Sequence, residues 1–358
     1  MRIPYSVFLV GSAFVLALAL TPIVMAAARR IGAVDQPGPR RIHKVPIPTS
    51  GGFAMFVVVL GVVWGARLFS GAARALDTRP LTGITIASAI VVALGLVDDL
   101  RPLKRSVKLA AEAVAAWVLY MFGLGIPLVT NPFGEPLETG FLNLPLTIIW
   151  VLVVVNAINN IDGVDGLAAG AVLIASVTLW YVGRTNGDFY VMFIASAVIG
   201  STAGFLRYNY PPAKVFMGDT GSQFLGLLLA AVALLENRKG ATAITLLFPL
   251  MAMTVPIADG AITFFHRALG GMPVLGPDNE HVHHRLRRIG LSDRHVVMVL
   301  WFLCAYCGML AVVVATLPLG YSALLAAFLV GAIFLGFRGL AFIERIVVGN
   351  PAATPERR

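Results

Sequence analysis

The sequence predicts an all-α polytopic membrane protein of about eleven transmembrane helices, and three observations predict it. Of its 358 residues 58% are hydrophobic and only 13% charged, about half the charge of an ordinary soluble domain. Mean hydropathy is +0.85. Apolar runs of about 20 residues recur along the whole chain, each long enough as a helix to cross roughly 30 Å of hydrocarbon with its backbone satisfied internally.

The first run, 5–28, is too long in its apolar part for a secretory signal, and its basic residues follow it rather than precede it, so it reads as a retained span. Runs at 51–69, 82–97, 107–125, 145–161, 166–183, 190–206, 219–235, 242–265, 296–317 and 321–337 complete the set. Gly61 and Gly65 in the second run read as helix-packing glycines. Between the fourth and fifth, Asn131, Pro132, Gly134, Pro136 and Gly140 mark a short extracytoplasmic hairpin or loop near 126–144. No internal repeat is evident. Residues 1–338 read as a single transmembrane domain and 339–358 as a cytoplasmic C-terminal tail.

Eleven spans sort the loops into two sets, one holding 20 of the 27 Lys and Arg and the other 7. Basic residues concentrate on the cytoplasmic side of a membrane, which puts the N-terminus outside and the C-terminus in the cytoplasm. A basic rim against anionic lipid accounts for most of the net charge of +9, so no nucleic-acid partner is needed. Cys304 and Cys307, the two cysteines, share one apolar run. They read as core packing, since two thiols build neither a disulfide framework nor a four-ligand zinc site.

Chemistry concentrates where the acids are. The chain has 18 Asp and Glu, and in this topology Asp98, Asp99, Asp162, Asp165 and Asp219 all stand at cytoplasmic ends of spans, where ionisation is costly. Asp219 alone could be a helix N-cap. Taken with Asn156 and Asn159, the group offers hard oxygen ligands of the kind Mg²⁺ uses while it keeps waters and substrate phosphates. A second cluster, Pro277 to Arg285, carries His281, His283, His284 and Arg285 in a basic loop. With no cysteine near, anion recognition is favoured over zinc, and a solvated loop is the plain alternative. Neither a phosphate-binding Gly-Lys-Ser/Thr loop nor a dinucleotide glycine fingerprint is present.

As a set these motifs resemble the polyprenyl-phosphate N-acetylhexosamine-1-phosphate transferases. The matching stretches are Arg41-Ile-His43-Lys44-x-Pro46-x-Pro48 with Gly51-Gly52, Val97-Asp98-Asp99 followed by Lys108, Asn156-Ala-Ile-Asn159-x-x-Asp162-Gly-x-Asp165-Gly, Phe216-Met-Gly218-Asp219-Thr-Gly-Ser222, Pro256-x-x-Asp259, and His281-x-His283-His284-Arg285. The histidine motif looks like that of the WecA and TagO branch rather than the peptidoglycan branch, MraY.

The resemblance implies a multi-pass protein of the bacterial cytoplasmic membrane with its active site on the cytoplasmic face. It would transfer N-acetylglucosamine-1-phosphate, or a close UDP-N-acetylhexosamine-derived sugar phosphate, to undecaprenyl phosphate, releasing UMP, as the first membrane step of a cell-envelope polysaccharide. An MraY-like phospho-MurNAc-pentapeptide transferase is the alternative within the family, and a transporter or flippase the alternative outside it.

By the same resemblance Asp219 with Asn159 holds Mg²⁺, for which Mn²⁺ can substitute, and Asp98, Asp99 and Asp219 are the catalytic group. Lys108, Asn156, Asp162, Asp165, His43, Lys44 and His281, His283, His284 and Arg285 bind substrate. The division of work between Asp98 and Asp99 stays open. The partners implied are the UDP-sugar, the polyprenyl phosphate, membrane lipid and, in a homodimer, a second copy of the chain.

Overall fold

The computed structural model describes residues 3–37, 45–129, 137–237 and 282–317, with single positions between 321 and 346. The chain begins with α1 (Ile3–Ile31), a two-residue antiparallel pairing of β1 (Val34–Asp35) with β2 (Ile47–Pro48), and α2 (Gly52–Phe69). A short α3 (Gly71–Arg74) leads into α4 (Thr78–Leu100) and α5 (Arg105–Met121). A hairpin of β3 (Leu128–Val129) and β4 (Leu137–Glu138) follows, and then α6 (Asn143–Ile161), α7 (Leu167–Thr185), α8 (Phe189–Asn209) and α9 (Gly218–Asn237). Beyond these come α10 (Val282–Arg288) and α11 (Asp293–Thr316).

Among the described residues eight stretches are long and apolar enough to cross a membrane, and the chain is a multi-pass helical membrane protein. They coincide with eight of the eleven expected runs. The run at 107–125 forms α5, a helix of 17 residues. The run at 242–265 lies outside the described residues, and of 321–337 and the tail 339–358 only single positions are described. α4 starts at Thr78, ahead of the expected 82, because Asp77 accepts from the Arg79 N–H as an N-cap and Pro80 fits the first turn. The expected hairpin near 126–144 is present as β3 and β4.

Between apolar helices in lipid there is little hydrophobic gain, so close backbone approach decides the packing. The seam between α1 and α8 runs along Gly200 and Gly204, where a Cβ would stand 2.2 Å from the Val10 carbonyl and 2.7 Å from the Phe14 carbonyl. Gly61 and Gly65 pack against no helix among the described residues: a side chain on either would meet nothing there within 4 Å. The inward stripe of α2 is instead Val58, Val62 and Ala66 with Met55, Val59 and Val63, so these glycines point the other way.

α9 is the centre of the bundle, with 89% of its apolar window buried, against 22% for α1 at the edge. Side-chain donors reach carbonyls on neighbouring helices, as Trp150 does to Ala230 and Tyr208 to Leu18. Cys304 and Cys307 are both buried, as packing residues would be. Because the helices run alternately up and down, 32–37, 45–51, 101–104, 162–166, 210–217 and 289–292 meet at one end of the bundle. Residues 70–77, 122–129, 137–142 and 186–188 lie at the other end.

Candidate active site

α4 ends on two acids, an unfavourable place for negative charge because the carbonyl end of a helix is itself negative. Both are held by donors. Asp98 accepts from the Leu103 N–H at 2.7 Å and from Lys108 Nζ at 2.8 Å. Asp99, one residue on and turned toward α9, accepts from the Asp219 N–H at 2.9 Å, Thr220 Oγ1 at 2.6 Å and Ser50 Oγ at 2.8 Å. Lys108, in the first turn of α5, also donates to Asp219 Oδ2 at 2.5 Å. One ammonium therefore joins two carboxylates from helices far apart in sequence, and the trio keeps a net negative charge.

Asp219 is not its own helix's cap, since α9 already begins at Gly218. Its carboxylate also receives the Gln223 side-chain amide at 3.2 Å, one turn further along. The end of α6 contributes Asn159, whose Oδ1 accepts from Ser222 Oγ on α9 at 3.2 Å. Three residues earlier, Asn156 donates to Glu112 at 2.6 Å and lies outside the cavity lining.

After α6 the chain turns through Asp162 to Gly166, which has φ +73°, a conformation open to glycine at low cost. Two bonds stitch this turn to the segment before α9. Asp165 accepts from the Ala213 N–H at 2.8 Å, and buried Asn209 accepts from the Gly166 N–H while donating to the Val215 carbonyl.

These segments enclose an open cavity of about 840 Å³, on the scale of a small-molecule or cofactor site. Asp99, Asn159, Asp162, Asp165 and Asp219 line it, and so do His284, Arg287, Asp293 and Arg294. The Asp162 carboxyl is pushed well above the ordinary carboxylate range, first by loss of water and then by the charges of Asp219, Asp99 and Asp165. A lining that mixes crowded acids with His284, Arg287 and Arg294 is suited to a cation and an anion bound together.

Among the described residues no three His, Cys, Asp or Glu stand close enough to cage a metal by themselves. That donor set fits a hard cation that keeps waters and substrate oxygens. A second feature agrees: Gln223 Oε1 is buried beside Asp219 without a partner among the described residues.

Of the residues singled out from the sequence, the structure thus gathers Asp99, Asn159, Asp162, Asp165, Asp219 and His284 at the cavity. Asp98 and Lys108 sit immediately behind it, bonded to Asp219 or to each other. Arg285 lies on α10 but not on the cavity wall. His43, Lys44 and His281 lie outside the described residues, as does the His283 side chain. Sequence reasoning passed over Ser50, Asn209, Glu112, Arg287 and Arg294. Arg287 and Arg294 carried a signal, being charges beside the histidine motif; the other three had none.

A polytopic helical membrane protein with an acid-lined cavity of cofactor size at one end of its bundle is the class that fold and site define. A family model described as glycosyl transferase family 4 matches residues 81–237, which run from α4 to α9 and include Asp98, Asp99, Lys108 and Asp219. The chain is 38% identical over 287 residues to a probable undecaprenyl-phosphate N-acetylglucosaminyl 1-phosphate transferase of Bacillus subtilis, covering 80% of this chain and 78% of that protein. It is 34% identical over 317 residues to a decaprenyl-phosphate N-acetylglucosaminephosphotransferase of Mycobacterium tuberculosis, covering 81% and 77%. A phospho-N-acetylmuramoyl-pentapeptide-transferase of Streptococcus pyogenes is 33% identical over 209 residues, 54% of this chain and 61% of that protein. The chain belongs to the glycosyl transferase family 4 of polyprenyl-phosphate sugar-phosphate transferases.

Proposed function

We propose that this chain transfers N-acetylglucosamine-1-phosphate, or a closely related UDP-N-acetylhexosamine-derived sugar phosphate, from the UDP-sugar to undecaprenyl phosphate, as the first membrane step of cell-envelope polysaccharide synthesis. The observation that carries the reading is one cavity lined by Asp219, Asn159 and further acids together with His284, Arg287 and Arg294. The activities named for the relatives in Bacillus and Mycobacterium, matched over about four fifths of this chain, support it. The peptidoglycan relative matches over 54% of the chain, which favours the N-acetylglucosamine reading.

In the reaction an oxygen of the lipid phosphate attacks the β-phosphorus of the UDP-sugar, the bond from that phosphorus to UMP breaks, and UMP leaves with the electron pair. A phosphate monoester has a second pKa near 6, so at pH 7 the nucleophile is mostly dianionic and needs little help in losing a proton. The barrier lies in bringing two anions together. His284, Arg287 and Arg294 can hydrogen-bond the diphosphate through imidazole and guanidinium, and charge-assisted bonds of this kind are the strong ones.

Asp219 and Asn159 would hold Mg²⁺, with Mn²⁺ as a substitute, and the bound ion would neutralise charge on the diphosphate oxygens. Lys108 fixes Asp98 and Asp219 relative to each other. The basic excess in the loops at this end supports a cytoplasmic active site in a bacterial plasma membrane, the side on which UDP-sugars are made.

Purified protein incubated with undecaprenyl phosphate, Mg²⁺ and a panel of UDP-sugars should release UMP, fastest from UDP-N-acetylglucosamine. No UMP from any donor, with transport into sealed vesicles instead, would sink the enzyme reading. A cysteine in place of Ser292 should react with an impermeant thiol reagent only after the cytoplasmic face is opened, and one in place of Glu138 should react in intact cells. The native Cys304 and Cys307 are buried and should add little background. The reverse labelling pattern would invert the topology.

A further inference from the structure

Asp98 and Asp99 are neighbours in sequence with different surroundings. The Asp98 carboxylate meets the Lys108 ammonium, which is shared with Asp219. The Asp99 carboxylate meets no cation within salt-bridge distance among the described residues; it is filled by donors from the protein frame. Its Oδ1 accepts from the Asp219 N–H, and its Oδ2 from Thr220 Oγ1, Ser50 Oγ and, at 3.4 Å, the Thr220 N–H. Those two N–H groups belong to the first turn of α9, where a helix has amide donors with no partner of its own. Met217, which precedes the helix, has no side-chain oxygen to offer.

Asp99 therefore does from α4 what an N-cap does from within a helix, and its charge complements the positive end of the α9 dipole. The joint around it has no slack. A Cβ on Gly218 would stand 2.5 Å from Asp99 Oδ2, one on Gly95 2.5 Å from Thr220 Cα, and one on Gly52 2.0 Å from Gly221 Cα. The start of α9 is thus clamped between α2 and α4, and Asp219 is its second residue.

We propose that Asp99 is a positioning residue, which caps α9 from the neighbouring helix and so sets where the Asp219 carboxylate stands, rather than the proton acceptor or lipid-phosphate group of the pair. The proposal rests on the transferase reading above for its consequence, and on the bonds to Asp219, Thr220 and Ser50 for its cause.

The test compares Asp99→Asn, Asp99→Ala and Ser50→Ala in the full-length purified protein, by amide hydrogen exchange over 217–224, melting temperature, and kcat and KM against pH. Asparagine keeps an oxygen for the Asp219 N–H, and its amide can donate to the Thr220 and Ser50 hydroxyls, which then act as acceptors. Asp99→Asn should keep native exchange protection at Asp219, whose N–H still finds the amide oxygen, kcat within about tenfold of wild type, and an unchanged pH profile. Asp99→Ala should speed exchange at both amides and lower kcat about a hundredfold or more. That loss should appear below the variant's melting temperature, with KM for the UDP-sugar moving much less.

If Asp99→Ala does not fold, Ser50→Ala, which removes one donor, should give faster exchange and a kcat loss of a few-fold. An Asp99→Asn variant as inactive as Asp99→Ala while its exchange at Asp219 stays native would overturn the proposal and return Asp99 to the chemistry. Native exchange in Asp99→Ala would overturn it as well. Failure of wild type to release UMP would sink the transferase reading instead, and the exchange arm would still decide whether Asp99 caps α9.

Discussion

The two ends of the helical bundle solve the same problem, unpaired backbone at helix termini, in different ways. At the end without the cavity the bonds are mostly local. Arg67 donates to the carbonyls of Ala73 and Leu76, Asp77 accepts from the Arg79 N–H, and Asp188 accepts from the N–H groups of Tyr190 and Val191. Among the described residues Tyr190 to Asp77 and Arg79 to Met121 reach furthest, and Ile126 to Asn143 and Thr147 spans less. At the cavity end, pairs 43 to 120 residues apart do the work: Gly166 with Asn209, Asp165 with Ala213, Ser50 with Asp99, Lys108 with Asp219 and Asp219 with Asp99. Local bonds end helices; distant ones hold several helix ends in fixed relation, which a site built from all of them requires.

The largest expected effect tests that difference at its centre. Asp219→Ala should abolish UMP release and leave the protein folded in detergent, because the side chain faces the cavity and Lys108 rather than apolar packing. Chelation with EDTA should silence the wild type in the same way, and Mg²⁺ should restore it. If the variant kept more than about a tenth of wild-type turnover at saturating Mg²⁺, Asp219 could not be a ligand, whose loss is expected to cost several kcal/mol in the barrier.

This contrast also explains what could be read from the sequence. Spans, the hairpin near 126–144 and the acids at span ends were legible because hydropathy, turn residues and scarce charge in lipid are local signals. Which glycines pack helices was not legible. Gly61 and Gly65 have the small-xxx-small spacing yet meet no neighbour among the described residues, whereas Gly200 and Gly204 have the same spacing and touch α1. Spacing says that two glycines share a helix face, not which neighbour that face meets. Ser50 and Asn209 were missed for a related reason. Each matters through a bond to a residue 49 or 43 positions away, and nothing in its own surroundings announces that.

An intermediate effect is expected at the basic residues of the lining. Arg287 lines the cavity and donates to Asp293 at 2.6 Å, a bond that ties α10 to the start of α11. Removing one charge-assisted contact of roughly 1.5–3 kcal/mol should cost about ten- to a hundredfold in rate. Arg287→Ala should therefore lower kcat/KM by that much with the Mg²⁺ requirement unchanged. Lysine should recover part of it, because it keeps the charge and loses the planar fork. Full activity in Arg287→Ala would remove this arginine from the substrate-binding wall.

The smallest effect belongs to the far end, and it is the one best able to break the comparison. Asp188 is 1% exposed and caps α8, accepting from the Tyr190 N–H at 2.8 Å and the Val191 N–H at 3.1 Å. Losing a cap of this kind costs about 1 kcal/mol, within a range of roughly 0.5–2 kcal/mol. Asp188→Ala should accordingly lower the melting temperature by a few degrees. Because these two bonds cap the first turn of α8, at the end of the helix away from the cavity, kcat measured well below the melting transition should stay within about twofold of wild type. The informative failure is a fall in kcat of about tenfold or more in protein that is demonstrably folded. That result would mean that strain at one end of α8 is passed along the helix to Asn209 at its other end, the residue that pins the turn carrying Asp162 and Asp165. The two ends would then be one mechanical unit rather than a scaffold and a site.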